Sequence, residues 1–381
     1  MRRLGTESAF AVLARAQELE AAGRRIVHLE IGEPDFPTPS HVVEAAAEAL
    51  RAGHTRYVPS PGIWPLREAV SAFLERSGRL HAPADRVVVT PGAKPIMFFT
   101  MLALCEPGDE VLYPDPGFPM YESIAAFSGA TPVPLPLRQE NDFNVDPGEL
   151  ESLVTPRTKL LVLNSPHNPC GSALGAKECE AIAEIAMRHD LVVLSDEIYW
   201  AIRYGGRHAS VLDVEGMVER TVLLDGWSKS FAMTGWRLGF GVLPRPLVEP
   251  VTRLIVNSVS CTSAFSQHAA IAALEGPWTP VENMVAELRR RRDVVVDGLN
   301  AIPGITCGTP GGAFYAFPNI ETLGLTAAEL QERLLEEAGV ATLAGTAFGA
   351  AGEGHLRLSY ASPVESIAAG LNSLGDLVAT L

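Results

Sequence analysis

Six short apolar runs, each lasting only a few residues before a polar turn takes over, constrain this chain more than any other feature. They are Arg86–Val89, Glu110–Tyr113, Lys159–Leu163, Leu191–Leu194, Thr221–Leu224 and Leu238–Val242. Such runs are shorter than ordinary helices and do not alternate as a half-wet strand would, so they read as strands buried on both faces. Between them lie amphipathic stretches. In Ala176–His189, Cys179, Ile182, Ile185 and Ala186 recur at three- and four-residue steps, the spacing of one helical face. Strand and helix in alternation predict an α/β fold, a mostly parallel sheet sandwiched by helices.

From about Trp278 the texture changes. A long helix is expected over Val281–Leu299, short strands over Ala313–Phe317 and His355–Ser359, and helices over Ala327–Glu337 and Val364–Leu377. This is an α+β pattern suited to a second, smaller domain, and the 381 residues allow two domains. A helix over Ser8–Ala22 is expected to join it, making that domain discontinuous. The division expected is an N-terminal arm at 1–40, a large domain at 41–277 and a small C-terminal domain at 278–381.

Charge narrows the partners. Thirty Lys and Arg against 45 Asp and Glu leave −15, a field that repels phosphate backbones and anionic lipid heads, so nucleic acid and membrane surfaces are not expected. The run Arg289–Arg292, between Glu287 and Asp293, reads as a solvated face or an ion network rather than a nucleic-acid site. No apolar run approaches the roughly 20 residues of a spanning helix. The start of the chain, with Arg2 and Arg3 followed by a stretch broken at Thr6, Glu7 and Ser8, forms no secretory leader pattern. Five scattered cysteines without a C-x-x-C pair fit reduced thiols and no metal site, and the location expected is cytoplasmic.

In an open parallel sheet, ligands sit outside the carboxyl ends of the strands. Five of the runs end there in chemistry-bearing residues: Thr90-Pro91-Gly92-Ala93-Lys94, Pro114-Asp115-Pro116-Gly117-Phe118, Asn164-Ser165-Pro166-His167-Asn168-Pro169-Cys170-Gly171, Ser195-Asp196-Glu197-Ile198-Tyr199 and Asp225-Gly226-Trp227-Ser228-Lys229. A single such end is ordinary turn chemistry; five converging ends describe a site.

Together with Gly32-Glu33-Pro34-Asp35-Phe36, the block Ser228-Lys229-Ser230-Phe231-Ala232-Met233-Thr234-Gly235-Trp236-Arg237-Leu238-Gly239 and the segment His355-Leu356-Arg357-Leu358-Ser359-Tyr360, these ends resemble the aspartate aminotransferase family of fold-type I pyridoxal-phosphate enzymes. The resemblance covers nearly the whole chain. It implies a seven-stranded, mostly parallel sheet with a small domain built from both chain ends, pyridoxal 5'-phosphate as cofactor, and ping-pong transamination between an L-α-amino acid and a 2-oxo acid. Lys229 is implied as the Schiff-base lysine and proton carrier, Asp196 as partner of the pyridine nitrogen, and Asn168 and Tyr199 as donors to the ring oxygen. Gly92 and Ala93 at a helix start, Ser228 and Arg237 are implied to hold the phosphate, and Phe118 to stack on the ring. Arg357 and Gly32 would take the substrate carboxylate. Tyr57 would reach the phosphate of a neighbouring subunit, so a homodimer with shared sites is implied.

The substrate side chain is the open part of this reading. Lys94 matches a lysine that recognises a distal carboxylate in one bacterial subgroup, which favours aspartate or glutamate with 2-oxoglutarate and adds Lys94 to the cofactor- and substrate-binding set. Glu7 opposes it: a carboxylate there disfavours an acidic side chain, could engage a basic one, or could pair with Lys94. Aromatic, branched and basic amino donors therefore stand as alternatives, as does a lyase, racemase or cyclase on the same fold.

Overall fold

The computed structural model describes residues 4–5 and 7–381; residues 1–3 and 6, on which part of the leader reading falls, lie outside them. The chain opens with α1 (Ser8–Ala21), β1 (Val27–His28), α2 (Ser40–Arg51) and α3 (Trp64–Arg76). Strand and helix then alternate through β2 (Val87–Thr90), α4 (Lys94–Leu104), β3 (Glu110–Asp115), α5 (Met120–Ser128), β4 (Thr131–Pro136), α6 (Pro147–Leu153), β5 (Thr158–Asn164), α7 (Ala176–Arg188), β6 (Val192–Asp196), β7 (Thr221–Gly226) and β8 (Gly239–Val242). Helices α8 (Arg245–Val256), α9 (Ala264–Glu275) and α10 (Thr279–Asn300) lead to β9 (Tyr315–Ala316), α11 (Ala327–Glu336), β10 (Val340–Ala341), β11 (Leu343–Ala344), β12 (Leu356–Ser359) and α12 (Val364–Val378).

Strands β2 to β8 form one seven-stranded sheet in the order β2-β8-β7-β6-β5-β3-β4. Only β8 runs against the others, pairing antiparallel with both β2 and β7. The sheet is buried on both faces because alternate residues of its strands enter different cores. In β5, Leu160 and Val162 pack with Ile96, Met97 and Ile124, whereas Leu161 and Leu163 pack with Cys179, Ile182 and Ala186 of α7. Each such leucine removed from water contributes about 2 kcal/mol.

The edge strand β4 was not among the expected strands, and proline explains why. Pro132, Pro134 and Pro136 alternate along it, a pattern that argues against a central strand. Backbone donation to β3 comes from the other phase, from Thr131 to the Asp109 carbonyl at 2.8 Å and from Leu137 to the Asp115 carbonyl at 2.7 Å. The prolines thus place every missing N–H on the open edge, where it also discourages a further strand.

The chain ends meet beside this sheet. β1 pairs parallel with β10, and β11-β12-β9 form a small antiparallel sheet. Val12, Ala16 and Leu19 of α1 share a core with Leu335, Leu343 and Phe348. On α10 the arginine run is an ion network: buried Arg291 donates to Asp35 at 2.7 Å and to Glu287 at 3.0 Å, and Arg290 pairs with Glu287. No helix among the described residues is long and apolar enough to cross a membrane.

Candidate active site

The chain builds β4 to one side of β3 and then returns to place β5 on the other, so the loops leaving β3 and β5 diverge and open a crevice. A cleft of about 370 Å³ lies there, and of the residues singled out from sequence it is lined by Gly32, Ala93, Lys94, Phe118, Asn168, Asp196, Tyr199, Ser228, Lys229, Arg237 and Arg357. Gly92 adjoins it: with φ +85° it takes a conformation few other residues adopt, and a Cβ there would collide with the Arg237 guanidinium. Tyr57 is set apart, outside the cleft lining and 89% exposed.

Lys229 follows β7, and its Nζ donates to the Gly32 carbonyl at 2.6 Å. Burial lowers its pKa to about 8, with Arg357 and Lys94 acting in the same direction and Glu33 and Glu7 opposing. A lysine so placed has a substantial neutral fraction near neutral pH, the form that attacks a carbonyl or takes a proton.

Asp196 ends β6. Its Oδ2 accepts from the Tyr121 hydroxyl at 2.7 Å and its Oδ1 from the Ile198 amide at 3.2 Å. Burial pushes its pKa up to about 6 against those two bonds, with Asp225 and Glu197 adding to the rise. A buried carboxylate held in this way gains by pairing with a cation brought in by a ligand. The Tyr199 hydroxyl meets that of Tyr315 at 2.8 Å, and burial holds the Tyr199 phenol well above its usual pKa, so it stays a donor.

Arg357, on β12, comes into the cleft from the small sheet. Its guanidinium lies 4.6 Å from the Tyr315 ring centroid and 4.8 Å from that of Phe348, donates to Asn168 Oδ1 at 3.4 Å and contacts the Glu30 carbonyl. Its Nε is buried with no protein partner among the described residues, a donor available to a carboxylate. Arg237 has φ +55°, uncommon for a residue with a Cβ, and Nη1 bonds the Thr234 carbonyl at 2.7 Å.

Sequence reasoning did not find the ion cluster behind Asp196. Arg79 donates to Asp225 at 2.6 Å and to Glu197 at 2.9 Å, and His208 meets Glu197 at 2.8 Å. Burial works to raise Glu197, yet His208 and Arg79 carry it well below the usual carboxylate range. Also missed were Tyr121 and Tyr315, which hold Asp196 and Tyr199. Two carboxylates at successive buried strand ends, Asp196 and Asp225, were a signal that a buried cation had to be nearby.

The residues fit pyridoxal phosphate with an amino-acid substrate beside it: a carboxylate at the end of a central strand, a lysine of depressed pKa and a glycine turn against Arg237 at the start of α4 suit the cofactor, and the unpaired buried Arg357 Nε suits the substrate carboxylate. Fold and cleft together define a fold-type I pyridoxal-phosphate enzyme. The model of the family Aminotransferase class I and II matches residues 24–374. An aspartate aminotransferase of Pyrococcus abyssi is 42% identical over 354 residues, spanning 92% of this chain and 91% of that one. Aromatic-amino-acid aminotransferase 2 of Thermococcus litoralis is 42% identical over 346 residues, 90% of this chain and 89% of that one. The structure of the Thermus thermophilus aspartate aminotransferase with maleate superposes with a TM-score of 0.95 at 37% identity, covering 99% of both chains. The chain belongs to the class I and II aminotransferases and is a pyridoxal-phosphate-dependent transaminase acting on amino acids and 2-oxo acids.

Proposed function

We propose that Lys229, Asp196 and Arg357 carry the transamination in this cleft, each at a different group of the reactants. Bound pyridoxal phosphate supplies an aldehyde for the amino group and an electron sink for the bond broken at the substrate Cα. Lys229 would hold the cofactor covalently, and its amine, once released by the substrate, would move the proton from Cα to the cofactor carbon. Asp196 keeps the ring nitrogen protonated, while Tyr199 and Asn168 donate to the ring oxygen. The Gly92 and Ala93 amides at the start of α4, the Ser228 hydroxyl and the Arg237 fork bind the phosphate. Phe118 covers the ring, and Arg357 with the Gly32 backbone takes the α-carboxylate. The observation that carries this reading is the convergence of Lys229, Asp196 and Arg357 on one cleft.

The test is a panel of amino donors added to the loaded enzyme without an acceptor, followed by the absorbance change from the aldehyde to the amine form of the cofactor. Conversion with at least one donor, reversed by its 2-oxo acid, is expected. Ammonia release without a stable amine form would instead assign a lyase. The exposure of Tyr57 supports a homodimer in which that hydroxyl completes the partner's phosphate site. A sedimentation profile that stays monomeric at the concentrations of full activity would contradict it. All five cysteines are free thiols, which supports a reducing cytoplasm. Cell fractionation that recovers the protein with a marker of an oxidising compartment would count against that location.

A further inference from the structure

Glu7 and Lys94 form an ion pair at the end of the cleft lined by the N-terminal arm. Lys94 Nζ sits 5.3 Å from the Phe118 ring centroid. The Glu7 side chain is 19% exposed, against 51% for Lys94. The surrounding lining is apolar, with Phe10, Ile31, Leu343 and Phe348. Phe10 stands 61% exposed at the same place, an apolar face with nothing packed over it.

We infer that the Glu7–Lys94 pair cancels charge in the side-chain pocket and makes this transaminase select large uncharged amino acids, aromatic or aliphatic, over acidic ones. The inference rests on the transamination reading, with Arg357 holding the α-carboxylate. An acidic side chain that approaches Lys94 either shares the ammonium with Glu7, against the repulsion of that carboxylate, or displaces it. On displacement one carboxylate–ammonium contact replaces another, with little net gain, and Glu7 is left partly buried without its partner. A basic side chain meets the converse difficulty: Glu7 is already satisfied and the Lys94 ammonium repels it. An uncharged side chain breaks neither contact and gains by covering Phe10 and Phe118.

The experiment compares the wild type with Glu7→Gln, Lys94→Met and the double variant. Two readouts are taken: half-reaction efficiency with aspartate, arginine and phenylalanine, and the affinities of succinate and 3-phenylpropionate by spectral titration. The wild type is expected to favour phenylalanine over aspartate by about tenfold or more. Glu7→Gln is expected to raise the aspartate-to-phenylalanine ratio and the relative succinate affinity by about tenfold, and adding Lys94→Met should abolish both gains. A wild type that prefers aspartate or arginine would overturn the inference. So would ratios unmoved by Glu7→Gln, or gains that survive the loss of Lys94. Conversion of no donor by any variant would sink the transamination reading instead, and this inference with it only if succinate affinity also fails to respond to Glu7→Gln.

Discussion

Replacement of Lys229 with alanine is expected to reduce turnover by roughly 10⁴-fold or more in a protein that still folds and still retains cofactor. The fold should tolerate the change because, among the described residues, the Lys229 amine makes a single hydrogen bond, to the Gly32 carbonyl. The nearby Glu33 carboxylate has another partner, since it accepts from the Thr234 hydroxyl. Retention is expected because Arg237, Ser228, Asp196 and the start of α4 remain. The burial that lowers the amine to a pKa of about 8 also gives the reaction a pH signature. Capture of pyridoxal phosphate by the cofactor-free protein needs the neutral amine, so its rate should fall about tenfold per unit as pH drops below 8 and level off above it. Stability moves with the same shift. Between about 8 and 10.5 the unfolded chain keeps a proton that the folded chain has released, so the cofactor-free protein should gain stability as pH rises through that window. Stopped-flow absorbance of wild-type and Lys229→Ala protein, with a melting curve of each, measures all of this. Turnover within tenfold of wild type in the alanine variant would refute the role.

The strands that hold these groups were legible because a sheet buried on both faces cannot hide its pattern. Thr221–Leu224 and Lys159–Leu163 fall within β7 and β5, and Asn164, which closes the second run, lines the cleft. Helix α10 extends two residues before and one beyond its expected span of Val281–Leu299, fraying that periodicity does not resolve. The strand β4 was hidden because its prolines are tolerated only at an edge, and edge position is a property of the whole sheet rather than of six residues. A residue's place in the cleft was legible wherever it follows from that residue's own strand end, as with Lys229 and Asp196. Contacts between distant segments were not. Arg79 could have served any surface carboxylate, and its partners Glu197 and Asp225 lie more than a hundred residues away. The Glu7–Lys94 pair was one of three readings open from the residues alone, and the choice among them required the arm to be seen against α4.

Asp196→Asn is expected to cripple turnover while leaving the cofactor-free protein no less stable, and the two effects have one cause. In the absence of a ligand cation the Asp196 carboxylate is an unfavourable buried charge, its pKa pushed up to about 6 from 3.8 by burial first and by Asp225 and Glu197 next. A raised carboxylate pKa means that the folded chain holds its proton over a range where the unfolded chain has lost it. Stability contributed at low pH is therefore lost as pH rises from about 3.8 to about 6. Asparagine has no charge to desolvate, can still accept from the Ile198 amide and can reach the Tyr121 hydroxyl, so at pH 7 the cofactor-free variant should gain up to about 3 kcal/mol. On the proposed role of Asp196, turnover depends on the charge that costs this stability. A neutral amide cannot hold a proton on the ring nitrogen, and losing about three units of ring basicity corresponds to about 4 kcal/mol, or roughly a thousandfold in rate. Melting of the cofactor-free proteins and single-turnover rates of the loaded ones separate these effects. A variant that melts lower than wild type at pH 7, or that turns over within tenfold of it with cofactor bound, would show that Asp196 is held for packing. The opposite pair of results would show that the fold maintains a destabilising charge because the reaction requires it.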